Sequence, residues 1–169
     1  MRAAIFDRDG VVNVELGYIR REEDFRLNPE IERLFGRLVA DGFLIFVVTN
    51  QGGVGLGMYD RRLLDRLHGR IKQMGAKEVF CCPHHPLTGR CLCRKPQTLL
   101  YERIAARYRP TWAVAVGDRE RDLTPARVMG WTTVRIGPAR PDDPPFTPDH
   151  AFDSTTQLWA HYTTVFDNN

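Results

Sequence analysis

The sequence predicts an α/β fold in which one parallel sheet is flanked by helices. Four short apolar runs bounded by polar residues have the pattern of strands buried on both faces. They cover residues 3–6, 43–48, 112–116 and 132–136. Stretches with apolar residues at helical spacing lie between these runs and after the last one. Strands that alternate with helices are typical of a parallel sheet.

Five stretches predict the helices. In the first, Asn28 is the expected cap, Pro29 lies in the first turn, and Gly42 marks the end. Asp60 is the expected cap of the second helix, which ends at Gly75. The other helices are predicted at residues 99–108, at about residues 122–129, and after a Ser154 cap.

Length and charge narrow the class of protein. A chain of 169 residues buries enough surface for one core, which predicts a single domain over residues 1–169. The 24 Lys and Arg residues against 21 Asp and Glu residues give a net charge of +3, so nucleic acid is not the expected partner. The longest apolar run, residues 43–48, is far too short to span a membrane, and no secretory leader is recognisable. We therefore expect a cytoplasmic monomer that does not bind membranes.

Polar segments follow the first three predicted strands, at the carboxyl ends where parallel sheets bind their ligands. These segments are residues 7–10, 49–53 and 117–122. Residues 138–148, which include five prolines, are interpreted as an irregular surface connection with no chemistry of its own.

Asp7 and Asp9 lie two residues apart at a strand end, so the pleat directs both carboxylates to the same side. One can act as a nucleophile and the other as an acid/base on a single substrate group. Taken alone, the two residues fit an Asp-Gly turn equally well. Asp118 and Asp122 at another strand end favour a site, because converging carboxylates repel one another without a cation. Hard oxygen ligands with no nearby histidine predict Mg²⁺.

Thr49 follows the apolar run of the second strand. Its hydroxyl, together with the backbone amides of Asn50 and Gln51, can hold a phosphoryl group, and Lys95 supplies a cation. Each of these residues is a weak signal alone. The glycines at 52, 53, 55 and 57 do not have the spacing of a P-loop or of a dinucleotide fingerprint. They are expected to let the backbone approach a substrate or to form a flexible loop.

All four cysteines fall within residues 81–93, and a reducing compartment disfavours disulfides. Three thiolates and one imidazole match the closed Cys₃His type of zinc site, with Cys82, His84, Cys91 and Cys93 as ligands. Such a site has no place for water, so the zinc is expected to be structural. It would fix the zinc loop, residues 82–93, which delivers Arg94 and Lys95. Cys81 is expected to be the buried end of a strand.

Four motifs resemble, in chain order, those of the haloacid dehalogenase superfamily of phosphotransferases. They are Asp7-x-Asp9-Gly10, Thr49, Lys95 and Gly117-Asp118-x-x-x-Asp122. The resemblance covers nearly the whole chain. It implies a single Rossmann-like parallel sheet without a cap domain, since 169 residues leave no room for one.

The resemblance also implies the catalytic roles. Asp7 is expected to attack phosphorus, forming an aspartyl-phosphate, while Asp9 protonates the leaving oxygen and then activates water. Thr49 and Lys95 would balance the charge of the phosphoryl oxygens. Mg²⁺ would be held by Asp7, Asp118 and the backbone carbonyl of Asp9, with Asp122 as a support.

The zinc loop resembles that of two groups in this superfamily, the D-glycero-D-manno-heptose-1,7-bisphosphate 7-phosphatases and the histidinol-phosphate phosphatases. Residues 13–18 and 82–86 look like the heptose group, whereas the short stretch between His84 and Cys91 is closer to the histidinol type. We expect a heptose bisphosphate as the substrate, in the synthesis of nucleotide-activated heptose, with histidinol phosphate as the alternative. The expected substrate contacts are Glu15, Gly17, Tyr18, Asn50, Gln51, Gly52, Arg94 and Arg119.

Two hypotheses come from other classes of protein. A zinc-finger-like module for nucleic acid is disfavoured by the single cysteine cluster, the net charge of +3 and the absence of a basic stripe in the sequence. A catalytically inactive binding protein is disfavoured because each motif carboxylate is present.

Overall fold

Six parallel strands form the sheet in the computed structural model, which describes residues 1–167. The strands are β1 (Arg2–Phe6), β2 (Phe43–Asn50), β3 (Ala76–Cys82), β4 (Trp112–Gly117), β5 (Thr132–Ile136) and β6 (His150–Phe152). Their order across the sheet is β3-β2-β1-β4-β5-β6. The order changes direction between β1 and β4, and ligands of such sheets bind beyond the carboxyl ends of the strands at this place. The predicted parallel α/β sheet is confirmed.

Two strands carry no clear signal in the sequence. β3 contains Lys77 and Glu78, so it is not a continuous apolar run. It is an edge strand that pairs with β2, and edge strands tolerate charged residues. β6 has three residues, too few for a pattern. Cys81 lies in a strand as expected, but it is half-buried and precedes the last residue of β3.

The helices are α1 (Ile31–Ala40), α2 (Gly52–Gly55), α3 (Arg61–Gln73), α4 (Leu99–Tyr108), α5 (Glu120–Val128), α6 (Thr155–Ala160) and α7 (Tyr162–Phe166). The caps at Asp60 and Ser154 are confirmed, because their side chains accept hydrogen bonds from the backbone N–H groups of Leu63 and Gln157.

The expected cap at Asn28 is wrong. Its side-chain amide instead donates to the carbonyl oxygens of Gly10 and Val11, at 3.1 and 2.9 Å, and so fastens the loop after β1. Helix α1 begins later, at Ile31. Helix α5 begins two residues earlier than predicted, at Glu120.

Both faces of the sheet are buried, because helices cover each of them. Alternate side chains of each strand point to opposite faces. On one face, Phe6, Val47 and Val116 belong to a core with α1, α3, α6 and α7. On the other face, Ile5 and Phe46 pack with α4 and α5. Among the described residues, no helix has the length and apolarity needed to cross a membrane.

Candidate active site and metal centres

Three buried carboxylates meet where β1 and β4 end side by side. Asp7 directly follows β1, Asp118 directly follows β4, and these strands are neighbours in the sheet. Asp122 joins them from the first turn of α5. One oxygen from each carboxylate lies within 4.8 Å of the others. A Cβ atom on Gly10 would lie 2.8 Å from the Asp118 carboxylate, and the backbone there has φ +92°, so the tight approach requires glycine.

Lys95 reaches this cluster from the segment between the zinc loop and α4. Its Nζ lies 2.5 Å from Asp7 Oδ1 and 2.7 Å from Asp122 Oδ1, and it donates to the carbonyl of Val48 at 2.6 Å. The backbone of Lys95 is held on both sides by the Asn50 side chain, which accepts from its N–H at 3.0 Å and donates to its carbonyl at 3.1 Å. Asn50 therefore positions Lys95, a role different from the expected substrate contact.

The cluster carries more negative than positive charge. Burial and the charge of Asp122 raise the pKa of Asp7 well above its ordinary value, although Lys95 opposes the shift. The same two causes raise the pKa of Asp118 to about 6. Burial lowers the pKa of Lys95, but the charges of Asp122 and Asp7 outweigh it and raise the pKa overall. A divalent cation would relieve this repulsion, and the all-oxygen donor set suits Mg²⁺.

Asp9 is held by four N–H donors from three side chains. Arg8 donates from Nε at 3.1 Å and from Nη2 at 2.8 Å, and the Asn13 amide donates at 3.0 Å, all to Asp9 Oδ1. Gln51 Nε2 donates to Asp9 Oδ2 at 2.6 Å, and Arg8 Nη2 also donates to this oxygen at 3.0 Å. Arg8 is buried, so the ion pair with Asp9 is shielded from water. The sequence motifs do not single out Arg8, and they include Asn13 only as the first residue of the segment 13–18, not as a partner of Asp9.

Thr49 is buried and is the second-last residue of β2. Its Oγ1 accepts a hydrogen bond from Gln51 Nε2 at 2.7 Å. Gln51 thus touches both Thr49 and Asp9, which places the residue after β2 between two candidate catalytic groups.

The second candidate metal centre is formed by three cysteines and one histidine. The ligand atoms of Cys82, His84, Cys91 and Cys93 lie within 4.8 Å of one another. The sulfurs of Cys82 and Cys91 are 3.6 Å apart, and His84 Nδ1 is 3.2 Å from the Cys93 sulfur. A tetrahedral zinc with bonds of about 2.3 Å separates its sulfurs by about 3.8 Å, so the cluster has the right size for zinc. Cys81 lies outside this group.

Two of the loops expected to contact substrate begin beside Asp9, at Asn13 and Gln51. Glu15, Gly17 and Tyr18 form an exposed turn in which the Glu15 carboxylate accepts from the Gly17 N–H at 2.6 Å. Gly52 is buried, and a Cβ atom there would lie 3.3 Å from Arg94 Nη1. Arg94 donates to the carbonyl of the predicted zinc ligand His84 at 3.2 Å.

The proline-rich connection, residues 138–148, contributes to the site, which corrects the expectation that it has no chemistry of its own. Arg140 Nη2 donates to Asp118 Oδ2 at 3.0 Å. The guanidinium of Arg119 is bound by Asp143 at 2.7 Å and by Asp142 at 2.6 Å. Because these carboxylates occupy Arg119, the geometry does not support its expected contact with substrate. No spacing rule links residues so far apart, so the sequence contains no signal for these contacts.

The fold and the site define a class of protein. A parallel sheet that presents a buried aspartate after β1, a threonine at the end of β2, a lysine before α4 and an aspartate after β4 is the arrangement of the haloacid-dehalogenase-like hydrolases. A family model described as "HAD-hyrolase-like" matches residues 92–158.

Curated proteins and solved structures agree with this class. The D-glycero-beta-D-manno-heptose-1,7-bisphosphate 7-phosphatase of Bordetella bronchiseptica is 36% identical over 139 residues, which are 77% of this chain and 77% of the relative. The D-glycero-alpha-D-manno-heptose-1,7-bisphosphate 7-phosphatase of Photorhabdus laumondii is 30% identical and covers 73% of this chain and 75% of the relative.

A crystal structure of D,D-heptose 1,7-bisphosphate phosphatase from B. bronchiseptica, complexed with magnesium and phosphate, superposes with a TM-score of 0.82. The identity is 28%, and the match covers 97% of this chain and 99% of the other. The chain belongs to the heptose-bisphosphate phosphatase family of haloacid-dehalogenase-like hydrolases.

Proposed function

We propose that this protein is a Mg²⁺-dependent phosphatase that removes the 7-phosphate of D-glycero-D-manno-heptose 1,7-bisphosphate. The observation that carries the proposal is the buried Asp7 carboxylate, which lies in ion-pair contact with Lys95 among two further carboxylates. We interpret Asp7 as a nucleophile beside a metal site and a fixed cation. The relatives in the comparison are named for this substrate.

In the first step, an Asp7 oxygen attacks phosphorus and the bond between phosphorus and the sugar oxygen breaks. Asp9 donates a proton to the departing alkoxide. In the second step, Asp9 accepts a proton from water while the water oxygen attacks the aspartyl-phosphate, which releases inorganic phosphate and restores Asp7. Thr49 and Lys95 donate to the phosphoryl oxygens throughout.

Mg²⁺ bound by Asp7, Asp118 and the Asp9 carbonyl would neutralise charge on the phosphoryl group as it is transferred. Asp122 supports this site through Lys95, to which it is bound at 2.7 Å. Zinc at the cysteine cluster would have a structural role, because its four protein ligands complete a tetrahedron.

Substrate recognition is assigned to three loops, residues 13–18, residues 51–59 and the zinc loop with Arg94. Arg94 is held by the His84 carbonyl beside Gly52, where its planar guanidinium can bind the second phosphate or the sugar hydroxyls.

We assign the reaction to the cytoplasm, whose reducing conditions suit the four free cysteines. We also propose that the enzyme acts as a monomer.

Phosphate release with Mg²⁺ tests the proposal on three substrates, the α- and β-anomers of the heptose bisphosphate and histidinol phosphate. We expect a heptose bisphosphate to have the highest kcat/KM, with the 1-phosphate retained in the product. Asp7→Asn should abolish release while the circular dichroism spectrum stays native. Faster hydrolysis of histidinol phosphate would overturn the substrate assignment, and near-normal turnover by Asp7→Asn would overturn the nucleophile.

A further inference from the structure

Tyr59, at the end of the loop before α3, makes a hydrogen bond that the catalytic scheme does not use. Its hydroxyl donates to Gln51 Oε1 at 2.7 Å. Burial raises the pKa of Tyr59 to about 12, so this hydroxyl keeps its proton and can donate it. Gln51 Oε1 can only accept, so Tyr59 is the donor in this hydrogen bond.

Tyr59 and the Asp9 carboxylate together stabilise one orientation of the Gln51 amide. A side-chain amide has one accepting end and one donating end. Because Tyr59 occupies Oε1, the Nε2 end faces the site, and its two N–H groups donate to Asp9 Oδ2 at 2.6 Å and to Thr49 Oγ1 at 2.7 Å. With the amide reversed, Oε1 would face the Asp9 carboxylate and repel it, and both N–H donors would be lost from the site.

Two proposed catalytic groups are oriented in this way. Asp9 receives a donor on the oxygen opposite the one that binds Arg8 Nε and Asn13, so its carboxylate cannot rotate without losing hydrogen bonds on both sides. Thr49 Oγ1 already accepts from Gln51, which leaves its own hydroxyl proton free to donate to a phosphoryl oxygen.

The ring of Tyr59 is held in place by Gly53 and Tyr18. A Cβ atom on Gly53 would lie 2.3 Å from Tyr59 Cε1 and 2.8 Å from Tyr18 Cδ1, so both rings pack directly on the glycine backbone. The ring centroids of Tyr18 and Tyr59 are 6.3 Å apart. Tyr59 thereby links residues 51–59, which are expected to meet the substrate, to the group proposed to transfer the proton.

We propose that Tyr59 is a positioning residue for the phosphatase reaction and that it acts through Gln51 to orient Asp9 and Thr49. The proposal rests on the function proposed above. Nothing in the four sequence motifs includes Tyr59, and its hydroxyl need not touch the substrate.

The test removes the hydroxyl and keeps the ring. Tyr59→Phe should lower kcat for the sugar bisphosphate about tenfold, a part of what general acid/base catalysis supplies, with KM changed less than kcat. The loss should be smaller with p-nitrophenyl phosphate, whose leaving group departs without a proton. Tyr108→Phe is the matched control, because it deletes a hydroxyl that donates to Glu78 at 2.7 Å, away from the site.

A double-mutant cycle separates positioning from a general structural effect. If Tyr59 acts through Gln51, the variant Gln51→Ala/Tyr59→Phe should be no slower than Gln51→Ala alone, because Gln51→Ala already removes the connection between Tyr59 and Asp9. Multiplied losses in the double variant, or a kcat for Tyr59→Phe within twofold of the wild-type value, would overturn the proposal. Activity on p-nitrophenyl phosphate distinguishes the two proposals. If the wild-type protein hydrolyses it but Tyr59→Phe has no effect on kcat for the sugar bisphosphate, only the role of Tyr59 is wrong. A wild-type protein inactive on every phosphate ester would overturn the proposed function itself.

Discussion

The raised pKa of Asp118 predicts that Mg²⁺ binding at the site depends on pH. In the metal-free protein, burial and the charge of Asp122 raise its pKa to about 6. A protonated carboxyl is a poor Mg²⁺ ligand, so protons compete with the metal below this pH. We predict that the apparent affinity for Mg²⁺ rises as the pH increases from about 5 to about 7 and then levels off.

Activity measured against Mg²⁺ concentration at each pH checks this prediction. At saturating Mg²⁺ the midpoint of the acid limb should move to lower pH, because the metal displaces the proton. An affinity for Mg²⁺ that is constant from pH 5 to pH 8 would contradict the prediction.

Asp9→Asn should distinguish leaving groups. The substitution keeps the size of the side chain but removes the proton that a departing sugar alkoxide requires. We predict a loss of at least about a hundredfold in kcat for the sugar phosphate and a smaller loss for an aryl phosphate. Parallel kinetics on both substrates provide the measurement, and equal losses would count against Asp9 as the general acid.

The sequence predicts the residues of the site better than their contacts. Asp7, Thr49 and Lys95 are recognisable because each has a fixed place near the end of a strand or before a helix. The partners of Asn50 and Arg119 are not recognisable, since Asn50 holds a segment 45 residues away and Arg119 holds a loop more than 20 residues away. Such contacts depend on side-chain geometry after folding, which spacing along the chain does not contain.

The zinc loop, residues 82–93, connects the end of β3 to the two cations of the site. Its predicted ligand His84 also holds Arg94 through its carbonyl at 3.2 Å, and Lys95 follows immediately. We predict one zinc ion per chain, and we expect Cys93→Ser to lose it and to lower both thermal stability and kcat/KM while the sheet persists.

Cys81→Ser is the matched control, because Cys81 lies beside the cluster but outside it. It should keep its zinc and its activity. Metal analysis together with thermal unfolding makes the comparison. Protein purified without chelator that contains no zinc would contradict the prediction.

At the scale of elements, prediction succeeded where the hydrophobic pattern was strong and failed where tertiary structure decided the outcome. Helix α4 has the predicted bounds, residues 99–108. The extent of strand β3 was not predicted, because it lies at an edge and Lys77 and Glu78 interrupt its apolar pattern. Asn28 has the sequence pattern of a cap, but the loop after β1 offers its amide two carbonyl acceptors instead.

Across the whole molecule, stability and chemistry lie at opposite ends of the sheet. Phe166 of the last helix is buried and packs against Phe43, the first residue of β2, with ring centroids 5.9 Å apart. The site lies beyond the other end of that strand. We predict that Phe166→Ala lowers the free energy of unfolding by about 3–5 kcal/mol and lowers Tm by about 10 °C, with kcat and KM unchanged for the folded protein.

Denaturant unfolding and steady-state kinetics on the same preparation test this separation. Val128→Ala, at an exposed position of α5, should change neither quantity appreciably. A kcat reduced severalfold in folded Phe166→Ala would show that the two ends are coupled.

The contact between Asp7 and Lys95 joins residues 88 positions apart, and Arg140 reaches Asp118 from still later in the chain. During translation, the proposed nucleophile therefore leaves the ribosome long before the residues proposed to provide its metal site and its cation. We expect a chain that terminates before residue 118 to lack phosphatase activity although it contains the Asp7 motif. Truncated products of synthesis should therefore leave the substrate intact.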